Sequence, residues 1–241
     1  MIVNQAPGGW NIIFQRSHAL LAGKLAMQWK TSERPEPWTD VLSAIIDHDD
    51  GQHDWHDRQH LTEAGAPLDF TFQEPDMTQA KRAVANARYR SRWIALLTSM
   101  HASALYERLR GTNQDIDNFL DEQQHYQEKL RRNVGIRKAD AEAMYRFVFF
   151  CDACSLVLCK DEVPQNGNRL EVAATPDQRT AYIFYQNDEC LSVDPWPFEQ
   201  ASFTVDVDTF VLKQLSFASD KDLYGALDQA EVQTKAWKFS K

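Results

Sequence analysis

The stretch Ala44-Ile45-Ile46-Asp47-His48-Asp49-Asp50-Gly51-Gln52-His53-Asp54-Trp55-His56-Asp57 holds three of the chain's seven histidines and five carboxylates. His48 and Asp49 are adjacent at the end of an apolar helical run. One backbone segment thus offers an imidazole nitrogen and a carboxylate oxygen together, a donor pair that suits a divalent metal ion. A His-Asp dipeptide alone is common and usually solvated. Three further groups add weight, because each falls on an apolar stretch of its own: His18, His101 and Asp152.

The elements that must carry these groups are legible in the spacing. Ser17 caps a helix to about Lys30, and His18, Leu21, Leu25 and Trp29 form its apolar stripe. His18 is then inside, either as a core histidine bonded to a backbone carbonyl or as a ligand. Pro37 suits the first turn of the next helix. Val41, Leu42, Ile45 and Ile46 make its apolar face, His48 and Asp49 continue that face, and Gly51 ends it. Glu74-Pro75-Asp76 opens a long helical stretch to about Arg110. In it Ile94, Leu97, Thr98, His101, Ala104 and Leu105 keep helical spacing, and the small residues around His101 leave room for a ligand. Asp115 to Arg132 reads as a polar amphipathic helix with His125 on its surface. From Phe147 to Cys159 the single charge is Asp152. A helix apolar all round is buried, and a buried carboxylate must be paired, hydrogen-bonded or bound to metal. Its partner is Arg146 or a hydroxyl, or else an ion shared with the histidines.

Residues 1–14 read as a hairpin turning at Pro7-Gly8-Gly9. Past Pro164 come short alternating runs, Ala181–Tyr185, Phe203–Val207 and Phe210–Leu215, which read as antiparallel strands. Ser219 and Asp220 start a last helix to about Trp237. The expected fold is α+β and mainly helical. It is one domain over 1–241, with a helical core at 15–163 and a small antiparallel sheet from 164–241 together with 1–14. The chain has 241 residues, is 43% hydrophobic and carries a net charge of −9. An acidic surface argues against nucleic acid or an anionic membrane as the main partner. No apolar run approaches the roughly 20 residues of a membrane span, and Met1 to Trp10 lacks the marks of a signal peptide. A cytoplasmic protein with a small-molecule substrate is expected. Cys151-x-x-Cys154 has no second cysteine pair, so Cys151, Cys154 and Cys159 read as buried thiols.

The order His18, His48-Asp49, Asp152 resembles the metal signature of the HD-domain superfamily of phosphohydrolases, a helical bundle. That resemblance implies an HD-like bundle in which His18, His48, Asp49 and Asp152 bind one or two divalent ions (Fe, Mn, Zn, Ni or Mg). It implies His101 as a further ligand or as the proton donor, and Asp50 as a general base or as the acceptor that orients an imidazole. Arg16 and Arg146 are candidates to meet a phosphate, and Trp55, Tyr106 and Trp196 to line a pocket. The activity implied is hydrolysis of a small phosphoester. A di-iron oxygenase of the same superfamily, or a sensor module that holds a ligand without catalysis, are the alternatives. A wider set of residues resembles an uncharacterised bacterial family: Gln15-x-x-His18-Ala19, His48-Asp49-Asp50-Gly51, Ser99-x-His101-x-Ser103, Asp152-x-x-Ser155-Leu156 and Pro195-Trp196-Pro197-Phe198. Against that pattern His53, His56 and His60 look like local additions to a loop.

Overall fold

The computed structural model describes residues 1–48, 59–73, 76–187 and 189–241. The chain opens with a hairpin, Ile2–Ala6 (β1) against Gly9–Ile13 (β2). Gly8 takes a φ of +75° at the turn, where an L side chain would be strained. Gly9 answers to a close approach: a Cβ there would stand 1.8 Å from the carbonyl oxygen of Leu212.

The helical layer follows. Gln15–Gln28 (α1) buries Leu21, Leu25 and Ala26 and begins two residues before Ser17, with no side-chain cap. Trp38–Ile46 (α2) crosses it at Gly23, whose absent side chain admits Ile46; a Cβ would lie 2.7 Å from Ile46 Cγ1. The stretch expected as one helix to Arg110 is two, Met77–Ala87 (α3) and Arg92–Glu107 (α4). The break has a local cause. Ser91 is extended and its hydroxyl accepts from the Ile94 N–H, which starts a new helix rather than continuing the old one. Gln114–Val134 (α5) ends on Gly135 in the left-handed region, and Lys138–Cys159 (α6) is the long buried helix.

The strands number seven among the described residues: β1, β2, Leu170–Ala174 (β3), Thr180–Asn187 (β4), Cys190–Asp194 (β5), Ser202–Leu212 (β6) and Glu231–Ser240 (β7). They form one sheet in the order β1-β2-β6-β7-β5-β4-β3. Every neighbouring pair is antiparallel except β5 with β7. The expectation of a helical bundle with a small sheet is therefore corrected: strand makes up 23% and helix 47% of the described residues, which hold a large mixed sheet and seven α-helices. The last helix is corrected too. Asp220–Asp228 (α7) is short, and β7 lies between β6 and β5 instead of continuing the helix. It pairs with β6 along its whole length, from Glu231 opposite Val211 to Ser240 opposite Ser202. Ladder bonds on both sides outweigh the helical preference of a run rich in Lys, Gln and Ala. The runs expected as two strands at 203–215 are one, β6.

The helices pack on the sheet through one apolar core. The Trp29 ring lies 4.9 Å from Phe147, 5.2 Å from Phe150 and 6.0 Å from Phe198, all edge-on. Burying each such ring contributes about 1.5–3 kcal/mol. This contact locks α1 to α6, and His18 lies roughly three turns back along the same stripe. Among the described residues no helix is long and apolar enough to cross a membrane.

Candidate metal centre

Four segments converge: α1 brings His18, the turn after α2 brings His48, α4 brings His101 and α6 brings Asp152. All four side chains are buried, at 1%, 4%, 3% and 4% exposure. His48 Nε2 stands 3.2 Å from Asp152 Oδ1, and His18 Nδ1 stands 3.9 Å from the same oxygen. The His18 and His48 rings meet edge-on at 5.1 Å, and His48 and His101 at 4.9 Å. His18, His48 and Asp152 each offer a ligand atom within 4.8 Å of the others.

Hydrogen bonds set the tautomers. His48 Nδ1 lies 2.6 Å from the Ile45 carbonyl oxygen. A carbonyl only accepts, so Nδ1 carries a proton and Nε2 is the nitrogen left to face Asp152. Ser155 Oγ donates to the Asp152 carbonyl at 2.8 Å. Toward His18 Nδ1, 3.0 Å away, that hydroxyl accepts, and His18 also keeps its proton on Nδ1. Metal-binding imidazoles are held in this way, with the second N–H on an oxygen.

His48 Nε2 facing a carboxylate oxygen at 3.2 Å calls for a positive charge between them, a proton on Nε2 or a bound metal ion. The approach is at ion-pair distance but outside hydrogen-bond alignment, and Asp152 Oδ1 is buried with no hydrogen-bond partner. Two donors each 2.0–2.1 Å from one tetrahedral ion stand about 3.3 Å apart. The residues fit a small divalent ion on that measure. Burial pushes the Asp152 carboxyl up, but the imidazoles of His48, His101 and His18 outweigh it, and the net effect holds the carboxyl below its usual range. It is therefore a carboxylate at neutral pH. His101 lies beyond the triad, its Nδ1 3.3 Å from the Tyr145 hydroxyl. Burial, and then the Asp152 charge, push the Tyr145 phenol far above its ordinary range, so it stays protonated.

His18, His48, His101 and Asp152 line a cavity of about 580 Å³, and Gln15, Thr98, Tyr106, Arg108, Phe149 and Leu156 are among its other walls. Asp49, Asp50 and Trp55, like His53 and His56, lie outside the described residues. His60 lines the cavity and donates its backbone N–H to Asp220 Oδ1 at 3.0 Å. Tyr106 lines it with its ring packed on Phe119. Arg16 is exposed and is not among the lining residues. Arg146 is not among the residues that line the cavity and is not the partner of Asp152: its guanidinium donates twice to the Pro176 carbonyl, at 3.2 and 3.1 Å, because the turn between β3 and β4 passes over that face of α6. Trp196 faces the sheet, stacked edge-on to Phe198 at 5.0 Å, with Nε1 donating to the Gln200 carbonyl. Sequence reasoning did not single out Thr98, Tyr145 or Arg108 as parts of the site, and it placed Gln15 and Ser155 only in the pattern of the uncharacterised family, with no role given to either. The helical offset of three from His18 to Gln15, from His101 to Thr98 and from Asp152 to Ser155 was the available signal.

A family model described as "Protein of unknown function (DUF3891)" matches residues 1–214. No curated protein matches the chain. No solved structure matches it either. The resemblance to the HD-domain superfamily is not supported by these comparisons.

Proposed function

The chain belongs to the DUF3891 family, and from that premise we propose that it is a metal-dependent hydrolase of small phosphoesters, with a divalent ion held by His18, His48 and Asp152. The observation that carries this reading is the pair of Nδ1-anchored imidazoles beside a buried carboxylate oxygen that has no hydrogen-bond partner. Two imidazoles and one carboxylate are the donor set of catalytic zinc sites, which keep a position open for water or substrate. When bound, the ion supplies Lewis-acid activation of water at neutral pH.

The protein's own groups do the rest. Ser155 and the Ile45 carbonyl orient the two imidazoles. Asp152 contributes the negative charge that balances the ion. His101, as an imidazolium with Nδ1–H held by the Tyr145 phenol oxygen, would be the group that gives a proton to a leaving oxygen. Arg108, on the cavity wall, is the arginine among the described lining residues that meets a phosphoryl oxygen. The cavity volume lies in the range of small-ligand sites, roughly 300–1,000 Å³, and the net charge of −9 favours a small substrate over a polynucleotide.

The test is metal content after dialysis against metal-free buffer, with phosphate release from p-nitrophenyl phosphate and sugar phosphates. Expected are bound divalent metal, turnover abolished by chelator, and recovery on adding metal back. Protein that keeps no metal under any loading condition overturns the proposal; metal without turnover leaves a binding module. The same donor set also suits non-haem iron. Bound iron with oxygen consumption and no phosphate release would move the chemistry to an oxygenase.

A further inference from the structure

Two polar groups in the cavity wall are left without partners by the fold. Gln15 Oε1 and Thr98 Oγ1 are buried and make no hydrogen bond. Gln15 is 8% exposed and Thr98 3%, and both line the same cavity as the triad. Each stands one helical turn before a site histidine, Gln15 before His18 on α1 and Thr98 before His101 on α4, so each shares its histidine's face.

Neither residue is in a place where the backbone needs it. Gln15 is the first residue of α1 and caps nothing. Thr98 lies mid-helix, where a threonine hydroxyl commonly bonds back to a carbonyl one turn earlier, yet this hydroxyl makes no such bond. Buried polar atoms are almost always satisfied, and an apolar side chain of the same shape would suit a silent wall better. Two such atoms in one cavity, each one helical turn from a histidine of that cavity, are the mark of a surface completed by something else. An amide oxygen accepts only, so its partner must bring a donor; a hydroxyl takes either role.

We propose that Gln15 and Thr98 are the recognition groups of this cavity, and that the ligand carries an N–H or O–H donor next to the oxygen it places on the ion. A phosphoester that carries a hydroxyl or an amide N–H beside the phosphoryl group has that arrangement; a purely aliphatic phosphoester does not. This assignment rests on the metal reading above and narrows it: the substrate is hydrogen-bonded beside the scissile bond, not merely charged. Discrimination follows from the same physics. A site that leaves buried polar atoms unpaired rejects a ligand lacking the donor more strongly than an apolar wall rejects a misfit of similar size.

The experiment uses a matched pair of metal chelators, acetohydroxamate and N-methylacetohydroxamate. Both bind an ion through the same two oxygens, and only the first has an N–H. Affinities are measured by calorimetry on the metal-loaded full chain, with metal content determined on the same sample. The wild type is expected to favour acetohydroxamate by about ten-fold, and Gln15→Met or Thr98→Val should reduce that ratio toward one. Thr98→Val should also raise the melting temperature of the ligand-free protein by about 2 °C, since it removes an unsatisfied hydroxyl at nearly constant volume. A structural role for the hydroxyl predicts a lower melting temperature instead and would overturn the assignment. So would equal affinities for the two chelators with metal bound, or a preference that survives in both variants. Absence of metal in the same sample overturns the metal reading first and this one with it.

Discussion

Asp152 and the cysteines beside it on α6 are set in the same apolar helix, yet the fold treats them differently. Cys151 and Cys154 flank Asp152 and are as buried as it is. Burial pushes the Cys154 and Cys159 thiols up to about 12, so they are neutral core side chains. Asp152 pays the same desolvation penalty but faces His18, His48 and His101, and its carboxyl is held down. The difference lies in what the other helices deliver to each face. A residue that can ionise becomes a site when neighbours on separate segments supply complementary charge, and filler when they supply only carbon.

The sharpest way to break that contrast is Asp152→Ala. It should abolish metal retention, read as metal per chain after dialysis; retention at the wild-type level would take Asp152 out of the site. Ser155→Ala removes the acceptor that orients His18 while leaving the three proposed ligands in place. Metal affinity should fall about 10- to 100-fold, measured by competition with a chromogenic chelator, and an unchanged affinity would mean that the Ser155 contact does not set the ring. On the other side of the comparison, the α6 thiols should not react with a thiol-specific chromogenic reagent in the folded protein and should react fully in denaturant. Rapid reaction of the native protein would show that this face of α6 is open. The smallest effect is expected at His125, which is exposed with Nδ1 on the Asp121 carbonyl. His125→Ala should leave metal content unchanged and shift stability by no more than about 0.5 kcal/mol in urea unfolding.

Much of the candidate site could be read along the chain, because helical periodicity says which side of a helix faces inward. Burial of His18 follows from its stripe with Leu21 and Leu25, and burial of Asp152 from an apolar run with one charge. The supporting residues were harder to see. Gln15, Thr98 and Ser155 are ordinary polar side chains, and nothing local separates an orphaned hydroxyl from a solvated one. Arg146 and Trp196 show the converse: both had the right chemistry, and both are engaged by the β3–β4 turn and by the sheet.

The fold divides in the same way. Hairpin β1–β2, helices α5 and α6 and the strand character of β4 and β6 rest on contacts within a few residues, and short-range pattern was enough to assign them. The size of the sheet was not local information. β7 becomes a central strand because β6 and β5 offer it ladders on both sides, although its residues, taken alone, are compatible with continuing α7. The site is decided by the same long-range packing. The amino-acid sequence dictated which side chains turn inward; only the locking of α1 against α6 through Trp29, Phe147 and Phe150, with α2 seated at Gly23, brought two imidazoles and a carboxylate to one point. Inward direction is a property of one helix, whereas distance between side chains is a property of how helices pack.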